Sequence, residues 1–154
     1  MRSRLVQFLV AAVVAFFAVE LTASVPAAEA TAKSPALPAP FNEKVFTFQQ
    51  IEQEKSSLKE RIVRVEISKL LGEGEDKGNG IVRFIAKDSS KSATPYGQVA
   101  FPREGLEKTG LQQEGKGPLM VYFQVHVVSP KAAAICEAVG TKFSPDAKGG
   151  RYEW

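Results

Sequence analysis

Two side chains in the sequence have the chemistry of a nucleophile and a general base. They are Cys136 and His126, and each is the single residue of its type. A cysteine thiolate beside an imidazole is the pair that many hydrolases use, but no local motif around either residue marks such a pair. One histidine also excludes a metal site with several histidine ligands. We expect Cys136 to be a small buried side chain, the alternatives being a reactive thiol or an intermolecular bridge, and we assign no catalytic residue.

An acidic stretch is the second candidate for chemistry. Glu73, Glu75 and Asp76 could attract a cation, but the spacing of an EF-hand loop is absent. The glycine-rich segment 72–80 that contains them joins two predicted strands, so it is not a phosphate-binding loop between a strand and a helix. We expect a solvated turn over residues 73–80 and predict neither a metal site nor a cofactor.

The N-terminal residues have the features of a secretory signal peptide. Basic residues precede an apolar run over residues 5–19, and small residues follow up to Ala30. The run ends at Glu20 and is shorter than the roughly 20 apolar residues that span a bilayer. We expect residues 1–30 to be cleaved and the mature protein to be periplasmic or extracellular, whereas an uncleaved segment would tether it to the membrane.

The composition after the predicted signal peptide indicates one small domain. Residues 31–42 are rich in alanine and proline and predict an extended linker, which leaves residues 43–154 for a single core. The net charge of +3 is mildly basic and is spread among many acidic residues, unlike the concentrated basic patch of nucleic-acid-binding proteins. The oligomeric state is left open.

Local patterns predict a mainly β domain with two helices. Thr47 and Gln50 have the spacing of a capping box and predict a helix over 48–55. Alternating apolar residues, turns and prolines predict strands over 61–68, 81–86, 96–101, 119–128 and 132–143, and a short helix over 102–111. The aromatic tail 151–154 is expected to return to the sheet or to cap the core.

This order of elements resembles the OB-fold, a five-stranded partly open barrel with a helix between strands three and four. The resemblance covers residues 61–143 and concerns the order and length of elements. It also extends to small secreted domains of bacterial envelopes. The predicted fold is therefore a five-stranded OB-like partly open barrel, with a short helix between strands 3 and 4 and an N-terminal helix. Another small open barrel or a five-stranded α+β sandwich fits the same pattern.

The resemblance implies where a ligand would bind. OB-like barrels bind oligonucleotides and oligosaccharides across strands two and three and the loops beside them. That surface would contain six candidate residues, namely Arg83, Lys87, Tyr96, Gln98, Lys77 and Asn79. Single-stranded nucleic acids need stacking aromatic rings among basic residues, and only Tyr96 is well placed, because Phe84 is expected in the core.

Two functional hypotheses follow from the sequence. The first is an exported, non-catalytic binding module of the cell envelope that recognises a protein partner or an extended polymer such as a glycan. The alternative is an exported domain that binds single-stranded nucleic acid. Nucleic acid is the less favoured partner because of the predicted export and the lack of stacking aromatic side chains.

Overall fold

The computed structural model describes residues 36–146 and 148–154. The predicted signal peptide and the first part of the predicted linker therefore lie outside the described residues. The elements in chain order are β1 Val45–Phe46, α1 Phe48–Leu58, β2 Ile62–Asp76, β3 Ile81–Asp88, β4 Tyr96–Pro102, α2 Arg103–Thr109, β5 Leu119–His126, β6 Ile135–Gly140, β7 Lys142–Asp146 and β8 Gly149–Glu153. Neither helix in this part of the chain is long and apolar enough to cross a membrane.

Five of the strands form a closed barrel. Strands β2, β3 and β4 are an antiparallel meander, and β5 pairs antiparallel with both β2 and β6. A parallel pairing of β4 with β6 completes the ring. The predicted mainly β class is confirmed, with the short helix α2 between the third and fourth barrel strands and α1 in front. The barrel is closed rather than partly open.

The barrel interior is filled by every second residue of the strands. In β2, Val63, Val65 and Ile67 are fully buried and point inward, as the period-two pattern predicts. Phe101 and Phe123 meet edge to face at the centre, with ring centroids 5.8 Å apart. Aromatic pairs prefer this arrangement, so it adds to the stabilisation from the buried apolar area.

Helix α1 begins where the sequence predicts. The Gln50 amide N–H donates to Thr47 Oγ1 at 3.2 Å, and the Thr47 N–H donates to Gln50 Oε1 at 3.1 Å, which completes the capping box. The Phe48 N–H donates to the buried carboxylate of Asp88 at 2.8 Å. The helix continues past the predicted end to Leu58, because the Leu58 side chain is fully buried in the core.

Strand β2 is longer than predicted, and the predicted turn over 73–80 is correspondingly too long. The pairs Glu75–Arg83 and Asp76–Val82 continue the ladder between β2 and β3 to Asp76. Gly72 and Gly74 have positive φ angles in an irregular part of the pairing, where glycine avoids the strain of other residues. The connection is therefore limited to residues 77–80.

The predicted strand over 132–143 is in fact two strands of different sheets. The barrel strand β6 ends at Gly140, where a Cβ atom would lie 2.8 Å from the Glu153 carbonyl oxygen. Beyond it β7 pairs with β8 in a separate two-stranded sheet, which no pattern in the sequence indicates. Of the two alternatives for the tail, capping the core is the one the structure shows: the ring of Trp154 packs against the core with its centroid 6.3 Å from that of Phe101, whereas β8 pairs with β7 and not with a barrel strand.

Candidate functional site

The outward side of β3 and β4 carries a group of exposed or partly exposed side chains. We call this surface the outer face and define it by Arg83, Ile85 and Lys87 on β3 and by Tyr96 and Gln98 on β4. On β3 these residues alternate with buried ones, and on β4 they are separated by the partly exposed Gly97. The register places Lys87 opposite Tyr96 and Ile85 opposite Gln98. Ile85 is 43% exposed and Tyr96 is 53% exposed, so two large hydrophobic side chains are diagonal neighbours on this face and are both in contact with solvent.

A pocket lies next to this face, beside the short stretch over which β4 and β6 pair and close the barrel. Strands β4 and β6 pair only from Gln98–Ile135 to Ala100–Glu137. The pocket beside this closure has a volume of about 460 Å³. Its lining comes from α1, from the β3–β4 hairpin and from residues 131–136 at the start of β6: Phe48, Gln49, Ile51, Glu52, Ile85, Thr94, Tyr96, Gly97, Gln98, Lys131, Ala133, Ala134 and Cys136.

Helix α1 supplies one wall of the pocket and is in close contact with β4. A Cβ atom at position 97 would lie 2.2 Å from Cδ1 of Phe48, so only glycine lets this ring pack against the strand. Two side chains of the helix also hold the segment before β6. The Ala134 N–H donates to Glu52 Oε2 at 3.0 Å, and Lys55 Nζ donates to the Ala132 carbonyl oxygen at 2.7 Å.

The carboxylate of Glu52 is the acidic group in the pocket lining, and its charge is already compensated. Burial acts to raise the pKa of Glu52, but the hydrogen bonds from Lys55 and from the Ala134 amide outweigh burial and lower it. Glu52 and Lys55 also form an ion pair. The carboxylate therefore already has a cationic partner and an amide donor within the protein, although its side chain is 46% exposed.

Three lysines lie on or around the outer face, whereas its arginine, Arg83, is opposite the carboxylate of Glu75 in the register. The register places Lys69 of β2 directly opposite Lys87 of β3, and Lys131 lines the pocket from its other wall. None of these three lysines takes part in an ion pair within residues 36–146 and 148–154, the part of the chain that the structure describes. Like charges placed opposite each other across strands are destabilising, so the Lys69–Lys87 pair has an electrostatic cost in the free protein.

The structure brings together four of the six residues predicted for binding. Arg83, Lys87, Tyr96 and Gln98 share the outer face. Lys77 and Asn79 do not belong to it, because they lie in the connection at the tip of the β2–β3 hairpin, where Lys77 forms an ion pair with Glu75.

Sequence reasoning missed Ile85, Lys69 and the pocket walls. The position of Ile85 between Arg83 and Lys87 was sufficient to place it on the outer face, because side chains alternate along a strand. Lys131 and the walls formed by α1 depend on contacts between distant parts of the chain and had no local signal.

The two candidate catalytic side chains lie on opposite sides of the barrel wall. Cys136 is opposite Val125 in the register and is 1% exposed, whereas His126 is opposite Ile135 on the outer surface. His126 Nδ1 is 3.2 Å from Glu60 Oε1. Its Nε2 is 3.0 Å from Glu137 Oε2, a distance that suits an ion pair although the angle does not suit a hydrogen bond. The thiol and the imidazole therefore do not form a nucleophile–base pair.

The Cys136 thiol is expected to be unreactive in the folded protein. Burial raises its pKa to about 12, with a smaller contribution from the negative charge of Glu52. We expect a maleimide at pH 8 to label native Cys136 more than about a hundredfold more slowly than an exposed cysteine, because the thiolate is the reactive form. The control is the Cys136→Ala/Val128→Cys variant, since Val128 is 80% exposed. Equal labelling rates for the two proteins would contradict this expectation.

The acidic stretch lies in β2 and not in a solvated turn. Glu75 is paired with Lys77, and Asp76 is paired with Arg103, so these two carboxylates are turned toward separate cations. Within the described residues, no group of three or more histidine, cysteine, aspartate or glutamate side chains is arranged to hold a metal ion.

Comparisons of the chain with protein-family models, with curated proteins and with solved structures find no match.

Proposed function

We propose that the protein is an exported, non-catalytic binding module of the cell envelope, which holds a protein segment or an extended polymer such as a glycan. The observation that carries the proposal is the outer face with the pocket beside it. Ile85 and Tyr96 expose apolar surface there, Gln98 offers an amide, and the pocket of about 460 Å³ is of the size of small binding sites. Adjacent apolar side chains in solvent, surrounded by polar ones, are typical of an interaction surface.

The barrel supports the same proposal. The five-stranded barrel is closed by the parallel pairing of β4 with β6 and has a helix between its third and fourth strands. This arrangement is compatible with an OB-like fold. In such barrels the ligand crosses the second and third strands, which correspond here to β3 and β4. The fold leaves the function open, so the proposal rests on the side chains of the outer face.

The same surface offers less to a single-stranded nucleic acid. Binding without sequence preference uses several stacking aromatic rings along a cationic groove. Tyr96 is the one aromatic ring exposed on the outer face as the structure describes it. An oligonucleotide is therefore the second candidate, favoured by the charge around Lys69 and Lys87 alone. Its binding would fall steeply with salt concentration.

The test is affinity purification of the tagged full chain from the gently solubilised envelope of its host, followed by mass spectrometry. We expect one reproducible protein or glycan partner that is lost with Tyr96→Ala and kept with Val128→Ala. Val128 is the matched control because it is 80% exposed and does not line the pocket. A mature N-terminus near Thr31 would support the export, and an intact Met1 would contradict cleavage.

The result that would overturn the proposal is equally specific. If every partner is retained by the Tyr96→Ala variant, the outer face is not the binding surface. Because Tyr96 is more than half exposed, this variant is expected to keep the unfolding temperature of the parent protein. Loss of binding with an unchanged unfolding temperature is therefore a local effect.

A further inference from the structure

We infer that the partner is an extended acidic peptide, with an apolar side chain in the pocket and carboxylates at Lys69 and Lys87. This inference rests on the proposed function and names the chemical class of its ligand. Three observations carry it: the lining of the pocket, the pair of lysines without an ion-pair partner in the described part of the chain, and the strand register that relates the two.

The pocket lining favours an apolar side chain. Phe48, Ile51, Ile85, Ala133 and Ala134 contribute carbon surface, and the charge of Glu52 is compensated within the wall. Sugar hydroxyl groups or phosphates that enter such a site lose water and need replacement hydrogen bonds. An aliphatic or aromatic side chain gains free energy from the same burial.

The lysine pair favours a negatively charged neighbour. Lys69 and Lys87 are opposite each other across β2 and β3, and neither takes part in the ion pairs found among the described residues. A carboxylate between two ammonium groups would offset their mutual repulsion through its attraction to each of them. Lys131 adds a third cation at the pocket wall, where Glu52, which is paired with Lys55, is the acidic residue of the lining.

The spacing of these features fits a chain that crosses the strands. Tyr96 lines the pocket and is directly opposite Lys87, which is in turn opposite Lys69. Neighbouring strands are about 4.8 Å apart and an extended peptide advances about 3.3 Å per residue. A peptide whose apolar side chain enters the pocket therefore places residues about two to three positions away over the lysine pair.

The experiment selects random linear peptides displayed on phage against the full chain at low salt. We expect the selected peptides to share an apolar or aromatic residue with aspartate or glutamate about two or three positions away. A synthetic peptide of the selected sequence is then titrated against the protein by fluorescence anisotropy. The double variant Lys69→Gln/Lys87→Gln should bind it roughly fivefold to tenfold more weakly, because each exposed charge pair contributes modestly.

The matched control is Lys142→Gln/Lys148→Gln, which removes the same charge from exposed lysines at the β7–β8 hairpin. It should bind the peptide as the parent protein does. Selected peptides without acidic enrichment, or equal affinity for the Lys69→Gln/Lys87→Gln variant, would overturn the inference. So would the absence of any selected peptide alongside binding of a uronic-acid oligosaccharide or an oligonucleotide.

The test separates the inference from the proposed function. If the Tyr96→Ala variant loses its envelope partner while the lysine variant keeps it, the binding surface is correct and the acidic peptide is wrong. If neither variant loses any partner, both statements fail.

Discussion

Replacing Asp88 with alanine is expected to lower the free energy of unfolding by about 2–3 kcal/mol, since a buried donor without a partner costs about this much. Asp88 is 2% exposed and accepts hydrogen bonds from the Phe48 amide at 2.8 Å and from the Ser90 amide at 2.9 Å. Alanine would leave both amides unsatisfied. Because Phe48 begins α1, the helix that lines the pocket should also loosen.

Urea unfolding of the Asp88→Ala and Asp88→Asn variants would measure this effect. Asparagine keeps one oxygen for the Phe48 amide but presents an amino group where Ser90 donates. The Asp88→Asn variant should therefore lose less free energy of unfolding than the alanine variant, but still be less stable than the parent protein. Hydrogen exchange of the α1 amides should accelerate most in the alanine variant. Equal stability of the alanine variant and the parent protein would show that the buried carboxylate does not hold α1 in place.

Replacing Phe123 with alanine should have the largest effect on stability, a loss of about 3–5 kcal/mol. Phe123 lies in the middle of β5, is fully buried and packs edge-on against Phe101. In the register Phe123 lies between β2 and β6, so a cavity at this position removes contacts with the strands on both sides of β5. A loss of this size is a large part of the total stability of a small domain.

The matched control for Phe123→Ala is Gln124→Ala. Gln124 is the next residue and points outward, where its amide donates to Glu60 Oε2 at 3.3 Å. Its removal should cost less than about 1 kcal/mol, because this partly exposed side chain lies outside the core. Thermal and urea unfolding of both variants would check the difference, and similar losses for the two would contradict the inward and outward assignment of β5.

The barrel strands were predictable because they obey the simplest rule of strand patterning. Val63, Val65 and Ile67 alternate with polar residues, and the continuous apolar segment of β5 marks a strand buried at the centre. The start of α1 was predictable for a similar reason, since Thr47 and Gln50 act over only three residues. Local signals of this kind do not depend on contacts with distant parts of the chain.

The second sheet and the pocket were not predictable from local patterns. Strands β7 and β8 include Pro145, Gly149 and Gly150 and lack an alternating apolar pattern, so only their pairing with each other shows them. The pocket walls come from three distant parts of the chain that meet because β4 and β6 pair over a short stretch. Such contacts depend on the register of the whole barrel.

The candidate site was partly predictable. Tyr96 and Gln98 followed from strand alternation, whereas the position of Lys69 depends on the shift in register between Ile67 and Lys69. A one-residue shift moves a side chain to the other face of a strand, and a bulge of this kind leaves no clear mark in the sequence. The lysine pair at the centre of our inference is therefore visible only in the folded chain.

The double pairing of β2 also governs the order in which the molecule can assemble. Strand β2 meets β3 through a short connection, but its other partner, β5, is far away in the sequence. The meander of β2, β3 and β4 can form early, whereas ring closure must wait for β5 and β6 and is slowed by the entropy of closing a long loop. Until then the edges of β2 and β4 have unpaired amides and carbonyls, which are templates for another chain. Until the barrel closes, a nascent or refolding molecule can therefore exchange strands with other copies of the same chain.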